Sequence, residues 1–345
     1  MKPSENLGLG ILVSNPINKI LNLMNYQSVN ATTVHSFLPM VSVVVPIYNG
    51  ELDLPALINC LSSQTYPKDR VEYLLVDNNS SDRTLTLIQE AAANSPITIK
   101  PLSENKIQSS YAARNTGIRA AQGEIIAFTD ADCHPQPQWL ELLIQPFVST
   151  DVVIVAGEIT ALPGNTLLEQ YAEMHQTLSQ QHTLAHPFGA YGQTANLAIR
   201  RLGLEKAGLF RPYLTTGGDA DICWRILQQN IGRLEFAPQA IVQHHHRTTL
   251  KEFQSQWRRY GRSNRYLHEL HGIELMREVT LQECGYRLVR WLLKELPKDS
   301  VKAIAGTATA VNLFNSPISI FTARSRAIGQ RDAKLPENAK IIEWL

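Results

Sequence analysis

The sequence predicts an α/β fold: a mostly parallel sheet with helices on both faces, followed by a helical C-terminal extension. Three observations carry that prediction. From residue 41, short runs rich in β-branched and apolar residues alternate with longer stretches of helical spacing. The first run, "VSVVVPI", is a continuous β-branched run, as in strands covered on both faces. Polar residues collect where the runs end, the edge at which such sheets bind ligands: Tyr48 and Asn49, then Asp77, Asn78 and Asn79, then Asp130 and Asp132.

The elements follow in order. "VSVVVPI" from Val41 is the first buried strand, and "DLPALINCLSSQ" the first helix, with Asp53 as candidate N-cap and Pro55 in its first turn. "VEYLLVD" is the second strand and "SDRTLTLIQEAAA" a helix capped by Ser or Asp. "ITIKPL" is the third strand, and "SSYAARNTGIRAAQG" a helix closed by Gly123 at its C′ position. "EIIAFTD" is the fourth strand and "PQWLELLIQPF" the next helix. This alternation implies right-handed crossovers. Beyond it the pattern loosens. "TLLEQYAEMHQTLSQQ" reads as a helix, "TANLAIRR" as a strand and "LEKAGLF" as a short helix. "TTGGDADICWRILQQN" runs into an amphipathic helix, "RLEFAP" and "AIVQHHH" are two strands, and a basic helix spans about Leu250 to His271.

Composition narrows the function classes. With 44% hydrophobic and 18% charged residues the chain is an ordinary globular one. A net charge of +1 gives no electrostatic case for nucleic acid as a partner. Cys60, Cys133, Cys223 and Cys284 lie far apart without a C-x-x-C pair, which argues against a zinc ribbon and fits a reducing cytoplasm. "LGLGILV" is too short and too soon interrupted for a signal peptide or anchor, so residues 1–39 read as an extension of weak structure.

"FTDADCHP" places two carboxylates one residue apart behind a buried strand. Like charges that close repel unless a cation lies between them. A turn with a terminating Pro is the alternative. It accounts for each polar exception separately, whereas a ligand site also accounts for their shared edge.

Taken in order, "VSVVVPIYNG", "LLVDNNSSD", "ARNTGIRAAQG", "FTDAD", "GGDADICWR" and "VQHHHR…QWRRYGR" resemble a family-2 glycosyltransferase of the GT-A, Rossmann-like fold, over roughly residues 41–265. The resemblance implies an inverting, non-processive transferase that moves a sugar from a nucleotide-diphosphate sugar, most simply a UDP-sugar, to an acceptor hydroxyl. Pro46 and Tyr48 would line the base, Tyr48 as a stacking face, and Asp77 would accept hydrogen bonds from it. Asn78 stands where a second acid is commoner, which leaves the base open. Asp132 would ligate Mn²⁺ or Mg²⁺, with Asp130 facing the ribose and the metal shell. In the histidine triplet, strand alternation puts His244 and His246 on one face; His244 falls where the family places a His by the metal, and His246 is second. Asp219 is the expected general base, with Gly218 where Glu is frequent. Asp221 would position it or meet the acceptor; an N-cap is the alternative role for Asp219. Gln256 and Arg259 would meet the diphosphate or the acceptor, and Tyr260 in place of Trp argues against a processive synthase.

The expected division is an extension (1–39), a catalytic domain (40–265, its nucleotide half 40–135 and acceptor half 136–265) and a helical extension (266–345). In the last, Arg287, Arg290 and Lys294 share one helix face and Leu288 and Leu292 the other, with Trp291 at the border. That pattern can lie on an anionic membrane surface, here the inner face, or pack on the catalytic domain. The acceptor would be a sugar or lipid-linked molecule of polysaccharide or glycolipid synthesis. Two rivals fit less well. A sugar-phosphate nucleotidyltransferase needs a Gly-rich cationic loop where "PIYNGELDL" stands. A non-catalytic nucleotide-sugar-binding protein has no need of Asp130, Asp132 and Asp219 together.

Overall fold

The computed structural model describes residues 37–345. The extension expected over 1–39 lies almost wholly outside them. Strands β1 (Val41–Ile47) and β2 (Val71–Asp77) are buried along their whole length. They pair in parallel from Val41 opposite Val71 to Ile47 opposite Asp77, so both end at the same level. Helices α1 (Leu54–Ser62), α2 (Thr84–Asn94) and α3 (Ser110–Ala120) alternate with β3 (Ile99–Ser103) and β4 (Ile125–Phe128). Together these strands form a parallel half ordered β3-β2-β1-β4. The N-cap position of α2 is Arg83, and it is Asp82, one residue earlier, whose Oδ1 accepts the Thr84 N–H at 3.0 Å. Gly123 is not the left-handed residue expected to close α3. Its N–H donates to Ser42 Oγ at 2.8 Å, and a Cβ there would lie 2.5 Å from the Ser42 nitrogen. Close backbone approach is what requires the glycine.

The second half is mixed. Here β5 (Cys133–Pro135), α4 (Trp139–Ile144), β6 (Val152–Ala161), α5 (Leu167–Met174), α6 (Gln180–Leu184) and β7 (Leu197–Arg200) precede α7 (Arg201–Ala207), α8 (Gly218–Gln228) and β8 (Arg233–His244). The full order is β3-β2-β1-β4-β7-β6-β8-β5. Pairs β4–β7, β6–β7 and β5–β8 are antiparallel, while β6–β8 is parallel, so "mostly parallel" describes the first half. Neither β5 nor β6 figures in the sequence reading.

The helix expected from Thr166 to Gln181 is two helices, broken where Gln176 takes φ 46°. The two strands expected from "RLEFAP" and "AIVQHHH" are one, β8, with a bulge: Gly157 pairs with Ala237 and Glu158 with Ile241. Asn196 fills the bulge, its amide donating to the Glu158 and Ala240 carbonyls and its Oδ1 accepting from Trp139 Nε1.

The C-terminal region comprises α9 (Leu250–His271), α10 (Leu281–Arg290), a π turn (Trp291–Glu295), α11 (Leu296–Ile304) and α12 (Ala310–Asp332). Helices α9 and α12 cross backbone to backbone. A Cβ on Gly261 would sit 1.9 Å from the Arg326 carbonyl oxygen, and one on Gly329 2.0 Å from that of Arg258. Residues 39–345 form one compact unit. Among the described residues no helix is long and apolar enough to cross a membrane.

Candidate active site

Level strand ends place the loops after β1 and β2 side by side. Asn49 and Asn79 turn there with φ 48° and 61°, conformations Asn tolerates. The loops are stitched together: Asn49 N–H donates to Ser80 Oγ, Gly50 N–H to Thr84 Oγ1, and Ser81 N–H to Asn49 Oδ1, all within 2.9 Å. Tyr48 stands 57% exposed on this cradle, an open aromatic face. Asp77 is buried below it, with the Ser80 N–H at 3.4 Å from both carboxylate oxygens.

Two expectations for this cradle need correction. Pro46 is buried inside β1 and has no face to offer a base. Asn78 is also buried, and its Nδ2 donates to the Glu104 and Ile107 carbonyls at 2.8 and 2.9 Å. A carboxylate could not make those bonds, so the Asn holds the next loop in place of meeting a base.

Beyond β4 the carboxylates acquire cationic partners. Asp130 Oδ1 accepts from Arg114 of α3 at 2.6 Å, and the Arg114 guanidinium lies 5.4 Å from the Tyr111 ring centroid. Antiparallel pairing sets Cys133 opposite His244, bringing His244 Nε2 to 3.3 Å from Asp132 Oδ2. Arg247 approaches the same oxygen at 3.4 Å. Burial alone would raise the Asp132 pKa; His244 and Arg247 overcome it and hold the carboxyl well below the usual range.

The ligand atoms of Asp132, Cys133 and His244 lie within 4.8 Å of one another. His244 Nδ1 is buried without a hydrogen-bond partner among the described residues. A carboxylate and an imidazole suit a divalent ion. Cys133 suits it poorly, because burial keeps its thiol protonated.

Asp219 lies in the first turn of α8, behind Gly217 at φ 82°. Its Oδ1 accepts from Thr194 Oγ1 at 2.9 Å. Burial raises its pKa; Arg114 works against that shift and Asp130 with it. Gly218 N–H donates to the Tyr111 hydroxyl, and a Cβ on Gly218 would lie 2.7–2.9 Å from the Tyr111 ring. The ring therefore occupies the space a Glu would need.

A cavity of about 210 Å³ joins Asp219, Asp130, His244, Gln256 and Arg259, together with Arg114, Arg247 and Thr194. Gln256 Nε2 donates to the Tyr260 hydroxyl at 3.0 Å. Neither Asp221 nor His246 lines this cavity. Asp221 is fully buried and bonded to Arg211, Arg225 and His271 at 2.9–3.0 Å, so it meets no acceptor. Burial would raise its pKa, but those three partners hold it down at about 2. His246 lines a separate cavity with Glu158 and Ser179, and burial lowers its pKa to about 4.

Arg114 and Thr194 do not stand out in sequence, although they lie within "ARNTGIRAAQG" and "TANLAIRR". An Arg in a helix normally reads as solvated; here 4% of its side chain is exposed.

Comparison with known proteins accords with this geometry. Residues 42–205 match the model of "Glycosyl transferase family 2", and 125–321 that of "Glycosyl transferase family group 2". Glycosyltransferase AglE of Haloferax volcanii is 37% identical over 191 residues, 53% of this chain and 60% of the relative. The pre-mycofactocin glycosyltransferase of Mycobacterium tuberculosis is 28% identical over 261 residues, 74% of this chain and 53% of the relative. The chain thus spans between half and three fifths of those relatives' length. Among solved structures, mannosyltransferase PcManGT from Pyrobaculum calidifontis, in complex with GDP-Man and Mn²⁺, shares the fold. Its TM-score is 0.59 at 18% identity, over 92% of this chain and 93% of that one.

Proposed function

Since the chain belongs to glycosyl transferase family 2, we propose that it transfers a sugar from a nucleotide-diphosphate sugar to an acceptor hydroxyl with inversion. The observation that carries this reading is one cavity holding a buried carboxyl and a ring of cations: Asp219 on Thr194, with Arg114, Arg247 and Arg259. Asp219 takes the acceptor proton as the acceptor oxygen bonds to the anomeric carbon. The bond from that carbon to the diphosphate breaks, and the charge left on the departing group meets the guanidiniums. A raised pKa makes Asp219 a stronger base than an exposed carboxylate. Asp132 and His244 would hold Mn²⁺ or Mg²⁺, which supplies further neutralisation of the diphosphate. Arg114 would hold Asp130 in place on the ribose side.

The nucleoside would lie on the stitched loops, stacked on Tyr48 above Asp77, and a UDP-sugar is the simplest donor. Residues 40–265 would carry the transfer and 266–345 the attachment to an anionic membrane surface, with a glycolipid or cell-surface polysaccharide precursor as acceptor.

A thermal-shift panel of UDP-, GDP-, dTDP- and CMP-sugars with Mn²⁺ tests the reading. One donor should raise Tm, as binding to the folded state must. Excess chelator should abolish transfer and Mn²⁺ restore it. Full turnover in chelator would remove the metal, and no response to any donor would remove the reading.

A further inference from the structure

A second, larger cavity of about 980 Å³ adjoins the Asp219 cavity, and the two share Tyr191, Gln193, Tyr260 and Ser263 on their walls. Helix α12 contributes Arg326 to it. The guanidinium lies 4.8 Å from the Trp257 ring centroid, and among the described residues its one polar contact is a 3.0 Å approach of an Nη to the Met276 sulfur. Among the described residues it has no carboxylate partner. Glu274, at the exposed rim of the cavity, makes no ion pair with it.

Buried polar atoms are nearly always hydrogen-bonded, and an unpaired buried charge is costly. Yet three of the unsatisfied ones, Arg326 Nε, Trp257 Nε1 and Thr177 Oγ1, belong to residues lining this cavity. Two of the three can only donate. These three atoms are themselves closed to water, so what the cavity presents is the remainder of the Arg326 guanidinium. A cation without an acidic partner calls for an oxyanion. The position of Arg326 is fixed as well, because its carbonyl abuts Gly261 at the crossing of α9 and α12.

We propose that this cavity seats the acceptor through an anionic group, a phosphate or a carboxylate, held by Arg326 against Trp257. The acceptor hydroxyl then crosses the shared wall of Tyr191, Gln193, Tyr260 and Ser263 to reach Asp219. This rests on the reading of Asp219 as the base. It adds the chemical class of the acceptor: a sugar or alcohol bearing an oxyanion a short distance from the reacting hydroxyl. Aromatic walls at Tyr171, Phe188 and Trp257 suit the apolar faces of a sugar ring or a lipid's first carbons.

The test is equilibrium binding of small probes to the full chain by calorimetry, without donor: octyl phosphate, glucuronate, and neutral octyl glucoside. The native protein should bind an anionic probe in preference to octyl glucoside, and Arg326→Gln should weaken that probe about ten- to hundredfold, as for loss of a charged hydrogen bond. Arg326→Lys, which keeps the charge, should fall between. Octyl phosphate as the stronger probe assigns a lipid-linked phosphate, and glucuronate an acidic sugar. The guanidiniums of the Asp219 cavity attract anions too, so the assignment is read from the Arg326 variants, and Arg326→Lys serves where Arg326→Gln fails to fold. Equal binding of charged and neutral probes, or undiminished anion binding by a folded Arg326→Gln, overturns the inference. Asp219→Asn should bind octyl phosphate as the native chain does. Active turnover by that variant would strike the base assignment and leave the probe result standing.

Discussion

At the scale of single residues, Asp219 separates a catalytic centre from an ordinary helix start. Asn caps helices about as well as Asp, so a capping role predicts that Asp219→Asn is active and stable. As the base, the same variant keeps shape and hydrogen bonding but cannot take a proton. Turnover should then fall about 10²- to 10⁴-fold while donor affinity, which the proposed function assigns to the β1 and β2 loops and a metal, changes little. Stability gives a second readout. A carboxyl with a raised folded pKa binds its proton more tightly folded than unfolded, so its ionisation costs stability as pH rises through the ordinary carboxylate range. Asp219→Asn removes that cost and should melt no lower than the native chain at pH 7. Near-native turnover, or a product of retained anomeric configuration, would move the base elsewhere. Asp219, Asp130 and Asp132 were legible in sequence because acids at strand and helix ends stand out against apolar runs. Arg114 and Thr194 were not: each gains meaning only from a partner 16 or 25 positions away, Asp130 or Asp219.

Among the elements, α10, the π turn and α11 present the least satisfied surface. Leu292, Leu293, Val301 and Ile304 are 55%, 68%, 68% and 89% exposed, with Arg287, Lys294 and Lys298 exposed among them. Trp291 is tied to α12 instead, donating to the Leu313 carbonyl at 2.7 Å. Apolar residues ringed by cations fit an anionic lipid surface, each cation contributing about 1 kcal/mol close to it. Changing Arg287, Arg290 and Lys294 to Glu should therefore release the chain from phosphatidylserine vesicles in a sedimentation assay. Raising salt should release the native chain too. No salt-sensitive binding by the native chain would leave these helices a purely structural role. The spacing of Arg287, Arg290 and Lys294 was readable in sequence. The break at Gln176 was not, since a single left-handed residue leaves helical periodicity intact on either side.

For the molecule as a whole, the parallel half was legible because β1, β2 and β4 are covered on both faces and declare themselves locally. The second half was not, because its form depends on partners. The strand β6 needs β7 and β8, and the bulge in β8 needs Asn196 to satisfy Ala240. The same dependence ties the C-terminal helices to the chemistry. Gln256 and Arg259 project from α9, Arg326 from α12, and the two helices meet where Gly261 and Gly329 leave no room for a side chain. Alanine at Gly329 would put its Cβ 2.0 Å from the Arg258 carbonyl oxygen, so the helices must separate. Overpacking of this kind costs roughly 1–3 kcal/mol, which should appear as a Tm lower by several degrees. Separation would also move Arg259 and Arg326 away from the wall between the two cavities. Transfer should then fall further than donor binding, to which Tyr48 and Asp77 would still contribute from the loops after β1 and β2. A variant with native Tm and native transfer would show that the crossing neither stabilises the chain nor places those arginines.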